Sequence, residues 1–138
     1  MDRWIHNELG FFNSPSDALA VVPPGSRSFS LFAYRLQPVR FVNGRAESIS
    51  IPTLPIDPLP HEFVALGFDI VSRSVSSFFE CSPLSCNGMA NEVPVNRFCL
   101  VDTLAEAVTL GERFSRERLE PGPYYIVEVL RGPAEGLV

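Results

Sequence analysis

The sequence predicts a single α+β domain with a mostly antiparallel or mixed sheet, one main amphipathic helix and one or two short helices packed on it. Three observations carry that prediction. Apolar residues recur at helical spacing between Thr103 and Arg116, Tyr124 to Leu130 is apolar on both faces, and Asn43-Gly44 stands between two extended segments. The chain has 138 residues and is 46% hydrophobic. That suits one domain over 1–138, able to bury about two-thirds of its unfolded surface.

The elements follow in chain order. Ser14 can cap, Pro15 can open and Asp17 can face the positive end of a short helix running to about Val21, which Pro23-Pro24-Gly25 ends. Ser28 to Leu36 and then Arg40-Phe41-Val42 read as extended, and the strand after the Asn43-Gly44 turn is expected over Ala46 to Ile51. Pro52, Pro55, Pro58 and Pro60 exclude a helix or an inner strand, so 52–60 is read as an extended proline-rich crossover. Phe63 to Ser72 is an extended run with one carboxylate, Asp69, among apolar neighbours, and Phe78-Phe79-Glu80 reads as a short strand.

Cys81-Ser82-Pro83-Leu84-Ser85-Cys86 then has the pattern of a helix start. Ser82 is the expected cap and Pro83 the first helical residue, which places Cys81 and Cys86 where a hydrophobic staple would bring their thiols together. Cys86, Met89, Ala90 and Val93 give this helix one apolar face, Gly88 weakens it and Pro94 ends it. Arg97 to Val101 has the composition of a strand. Thr103-Leu104-Ala105-Glu106 matches a capping box, and Leu104, Ala107, Val108, Gly111 and Phe114 form the stripe that should cover the sheet. A loose echo between Phe12–Ala20 and Phe98–Ala107, each a short strand, polar cap and small helix, supports the same α+β class.

Composition narrows function. A net charge of −5 and a pI near 5.0 oppose nucleic-acid binding, where neutralising phosphate supplies most of the affinity. Arg113, Arg116 and Arg118 are interleaved with Glu112, Glu117 and Glu120 and read as a solvated helix face. All 11 basic side chains are arginine; with no lysine, Schiff-base chemistry and a lysine phosphate loop are excluded. Apolar runs such as Ala18 to Pro24 are shorter than the roughly 20 residues that span a bilayer, so no membrane association is expected. Three cysteines are an odd number for a disulfide scaffold, and the first residues lack the pattern of a signal peptide, so the expectation is a cytoplasmic protein.

Cys81, Cys86, Cys99 and His61 are the obvious set for zinc, but Cys99 falls within a strand pattern with no second ligand nearby, so no metal and no cofactor are assigned. A nucleophilic cysteine lacks a neighbouring base. The candidate ligand-binding residues are Asp69, Arg73, Glu80, Ser82, Ser85, Asn87, Asn91, Arg97 and Glu128, with Arg73 and Arg97 as counter-charges for buried carboxylates and Asn96 as a further orienting amide. The catalytic residues are unassigned. The expected function is a small protein-interaction or accessory domain without catalysis, immunity-like or inhibitor-like, with another protein as partner and an open oligomeric state. The alternative is a small enzyme or polar-ligand binder with a pocket around Glu80–Asn91 and the carboxylates Asp69 and Glu128.

Overall fold

The computed structural model describes residues 14–23, 25, 30–51, 62–73, 82–86, 88–119 and 122–132. The crossover 52–60, the short strand at 78–80, His61, Cys81 and the candidate residues Glu80 and Asn87 lie outside the described residues. So do the side chain of Cys86 and with it the thiol staple.

The elements are α1 (Pro15–Leu19), β1 (Phe32–Val42), β2 (Arg45–Ser48), β3 (Val64–Ser72), α2 (Pro83–Cys86), α3 (Leu104–Glu117) and β4 (Tyr124–Arg131). The strands form one antiparallel sheet in the order β2-β1-β4-β3. The expected α+β class is therefore the observed one, and β4, apolar on both faces, takes an inner position.

The hairpin forms where Asn43-Gly44 stands, with φ of 50° and 82° at those two residues. Two positive φ values in succession match the right-handed twist of the strands and are cheap only for such residues. The Gly44 N–H donates to Ser115 Oγ at 2.8 Å, which ties the turn to the last part of α3.

Leu36 to Arg40 does not separate two strands as expected. β1 runs through, with a register shift between those residues against β4. Pro38, which has no N–H to give a ladder, is accommodated at this irregularity. β2 is shorter than expected because only Arg45–Ser48 pairs fully, although Ile49 N–H still reaches Pro38 C=O at 3.2 Å.

Thr103 caps α3, its hydroxyl accepting from Glu106 N–H at 3.2 Å, as the capping box requires. Ala107, Gly111, Phe114 and Ser115 are buried on its inner face. Leu104, expected in the same stripe, is 39% exposed. Phe41, Tyr124, Ile126 and Ile70 lie on the sheet face beneath α3, and Leu84, Met89, Val93 and Val101 extend this core. Each such large apolar side chain contributes about 1.5–3 kcal/mol by leaving water.

Two other expectations are corrected. The cysteine helix ends after one turn, because Gly88 adopts φ 69°, and a separate 3-10 turn carries Met89–Asn91. A left-handed residue cannot continue a right-handed helix, and glycine takes that conformation without penalty. Arg97 to Val101 is not a strand. It is a turn in which Cys99 has φ 60° and is exposed, and Val101 alone makes a β-bridge, to Phe68. The strand-like half of the Phe98–Ala107 echo goes with it.

Gly111 illustrates how close α3 lies to the sheet. A Cβ there would stand 2.5 Å from the Phe41 ring, and both are fully enclosed. Gly111→Ala gains about 1 kcal/mol of helix propensity, yet it is expected to lower stability by about 1–3 kcal/mol net through overpacking. Urea denaturation checks this; a variant more stable than the parent would contradict it.

Candidate functional site

Of the described candidate residues, Asp69 and Ser82 meet side chain to side chain, at the outer edge of β3. Gly67 opens that edge region with a bulge, since Ala65 faces Leu130 and Gly67 already faces Val129. Its φ is 144°, and a Cβ would stand 2.8 Å from Val101 C=O and 2.9 Å from Leu100 Cβ. The turn 96–101 can reach the strand only because position 67 is glycine.

Asn96 builds that turn. Its Oδ1 accepts from Phe98 N–H at 2.9 Å and from Leu100 N–H at 3.3 Å. Its Nδ2 donates to Leu66 C=O at 2.7 Å and to Asp102 Oδ1 at 3.0 Å. The amide thus uses both donors and both acceptor positions. Val101 completes the contact by exchanging two backbone bonds with Phe68, at 2.7 and 2.9 Å.

One residue farther along, Asp69 closes the edge by itself. Phe68 directs its N–H and C=O away from β4, and Ile70, two residues on, directs its N–H the same way. That N–H donates to Asp69 Oδ1 at 2.9 Å. The same oxygen accepts from the Ser82 hydroxyl at 2.5 Å, which fastens the start of α2 to β3. Burial pushes the Asp69 carboxyl above its usual range, and the bonds from Ser82 and Ile70, which favour the charged form, only partly offset it. Tyr34 lies on the same sheet face two strands away, and its phenol is raised first by burial and then by the charge on Asp69.

The other candidates lie apart from this pair. Ser85 is exposed and its hydroxyl donates to Ser82 C=O at 3.3 Å. Asn91 is exposed in the 3-10 turn. Arg73 follows β3, with its N–H on Pro123 C=O at 3.0 Å. Arg97 is exposed and lies over the Phe98 ring, 4.7 Å from its centroid. Glu128 stands opposite Phe68, and Asp69 opposite Val127, so the two carboxylates project from opposite faces of the sheet. Glu128 is half-buried and its counter-charge is Arg35, at 3.0 Å across β1 and β4, not Arg73 or Arg97.

Among the described residues, no three histidine, cysteine, aspartate or glutamate side chains gather to hold a metal ion. A depression of about 390 Å³ lies elsewhere, at the C-terminal end of α3, floored by Phe41 and Tyr124 and rimmed by Asn43 and Arg118. None of the seven described candidates lines it. Asn96 is the residue whose importance the sequence understated: its place just before an Arg-Phe-Cys-Leu segment gave no sign that one amide would organise the whole turn.

The sheet face turned away from α3 has a different character. Val71, Val127, Val129 and Leu100 are buried there, with Leu36, Leu66, Phe98 and Tyr125 packed around them. At the far end of this face Phe32, Tyr34 and Val64 remain 46%, 44% and 62% exposed. Phe32 and Val64 flank Arg131, which both residues face in register.

Comparison with models of protein families finds no match, and comparisons with curated proteins and with solved structures find none either.

Two predictions follow from the edge. Asn96→Ala removes four hydrogen bonds and strands buried backbone groups of the turn, so a loss of about 2–4 kcal/mol is expected in equilibrium denaturation; a loss below about 0.5 kcal/mol would contradict the role given to the amide. For Asp69, the folded carboxyl keeps its proton to a higher pH than the unfolded one, whose value is near 3.8. The associated stability is complete below that value and disappears as pH rises through the folded pKa. Urea midpoints measured from acid to neutral pH should therefore show the parent losing stability relative to Asp69→Asn. A parent that gains on the variant over this range would reverse the sign.

Proposed function

We propose that this chain is a non-catalytic domain that binds another protein through the sheet face opposite α3. The observation that supports this reading is the exposed apolar group Phe32, Tyr34 and Val64 on that face. Large apolar side chains scattered singly over a surface are ordinary, but Phe32 and Tyr34 on β1 and Val64 on β3 group at one end of one face, on either side of β4, and such groups mark interaction sites.

The disposition of the polar groups supports the same reading. Asp69 and Ser82 bond to each other and to the β3 backbone, Asn96 is consumed by its turn, and Glu128 is paired with Arg35. Catalysis by acid and base would need such groups to converge on one point in space. Two stretches of the sheet edge are also poor places for a partner to add a strand: β3 at Phe68, which the 96–101 turn covers, and β2, which is short, with Arg45 and Glu47 along it.

An acidic domain with one apolar docking face fits an immunity-like or inhibitor-like role in the cytoplasm, where the cysteines stay reduced. No helix among the described residues is long and apolar enough to cross a membrane.

A photo-cross-linking residue distinguishes the faces. Placed at Val64 in the protein in its host, it is expected to give one discrete protein adduct; placed at Thr109, exposed on α3, it should give none. Absence of an adduct at 64, or identical adducts at both positions, would overturn the reading.

A further inference from the structure

We infer that the partner presents a carboxylate set beside an apolar side chain, and that Arg131 receives it. The inference rests on the proposed protein-binding face and specifies what that face recognises.

Arg131 ends β4 and stands directly between Phe32 on β1 and Val64 on β3. Directly opposed residues on adjacent strands hold their Cβ atoms about 5 Å apart, so the guanidinium stem rises between two exposed apolar groups. Arg35, Arg40 and Arg113 each have a carboxylate partner. Arg131 is exposed and, like Arg45, Arg73, Arg97, Arg116 and Arg118, has no carboxylate partner among the described residues. What sets it apart is its place between two exposed apolar side chains.

An apolar partner surface laid over Phe32 and Val64 would exclude water from Arg131. Desolvating a guanidinium without a counter-charge is unfavourable, whereas a carboxylate can accept two parallel hydrogen bonds from its fork. Arginine and tyrosine, here Arg131 and the nearby Tyr34, are also among the residues in which binding energy concentrates. The partner's apolar group covers Phe32 and Val64, and its carboxylate closes on the cation between them.

The same geometry opposes a second copy as occupant. A two-fold axis centred on Arg131 would set it against its own counterpart, and two chains of charge −5 repel each other wherever the axis lies. That net charge also disfavours a long acidic tract. The recognised element is a single carboxylate in an apolar setting.

The test uses a random linear-peptide library displayed on phage, panned against the immobilised full chain. Enriched peptides are expected to carry Asp or Glu next to Phe, Leu or Trp. They should bind Arg131→Ala about tenfold or more weakly, with Arg131→Lys intermediate because it keeps the charge and loses the fork. Arg131→Glu should enrich Lys- or Arg-bearing peptides instead. Thermal melts superimposable on the parent confirm that the variants fold, as expected for an exposed strand-end residue.

Peptides that require Phe32 and Val64, shown by loss of binding to Phe32→Ser/Val64→Ser, but bind Arg131→Ala as well as the parent overturn the carboxylate inference and leave the docking face standing. Peptides that bind Phe32→Ser/Val64→Ser as well as the parent overturn the docking face itself. Failure to enrich any peptide against the parent counts against the inference, since a linear carboxylate-apolar pair is then insufficient.

Discussion

An antiparallel sheet has an edge, and this fold depends on how the edge at β3 is closed. Phe68 and Ile70 direct backbone groups away from β4, and left unpaired these would be a template for another chain. The closure is assembled from separate parts of the sequence. Val101 bridges Phe68, Asn96 takes Leu66 C=O, and Asp69 folds back on Ile70 N–H while holding Ser82. Gly67 makes the approach possible, because any Cβ would strike the Val101 carbonyl. The closure also positions the ends of the core. Leu84 follows Ser82, and Val101 precedes the Thr103 cap of α3, so both reach the apolar layer from points fixed on the β3 edge.

This arrangement determines what remains for recognition. A carboxylate half-buried beside a serine hydroxyl resembles chemistry when seen alone. Seen with Ile70 N–H it is a side chain substituting for a missing strand, and its raised affinity for a proton is the consequence of the burial that this position demands. Beside the covered β3 edge, the sheet face away from α3 carries exposed aromatic and aliphatic residues around Arg131. The proposed binding role grows out of this division between polar groups spent on the edge and apolar groups left on the face.

The parts of the fold that depend on local physics were legible in the sequence. Asn43-Gly44 announces its own turn, Thr103 and Glu106 announce a helix start, and Tyr124 to Leu130 can be comfortable only between two other strands. The failures occurred where a distant group decided the outcome. Arg97 to Val101 has strand composition, but the Asn96 side chain captures Phe98 and Leu100 N–H and so replaces the ladder those residues would otherwise join. The two extended stretches read over Ser28 to Leu36 and Arg40 to Val42 are one strand, in which the register shift against β4 accommodates Pro38. Of the candidate site, Asp69 was recognisable as a carboxylate among apolar neighbours and Ser82 as a helix-start residue, but their pairing across 13 residues was not. Nor could the sequence reveal that Glu128 would find Arg35, 93 residues away.

Native-state hydrogen exchange of the Phe68, Ile70 and Val101 amides tests the edge closure most directly. If the turn and the Asp69–Ser82 pair seal β3, these three amides exchange only through global unfolding, at rates that match the inner-strand amides of β4. Exchange of Phe68 and Ile70 at the rates of an open edge strand, while β4 stays protected, would contradict the account.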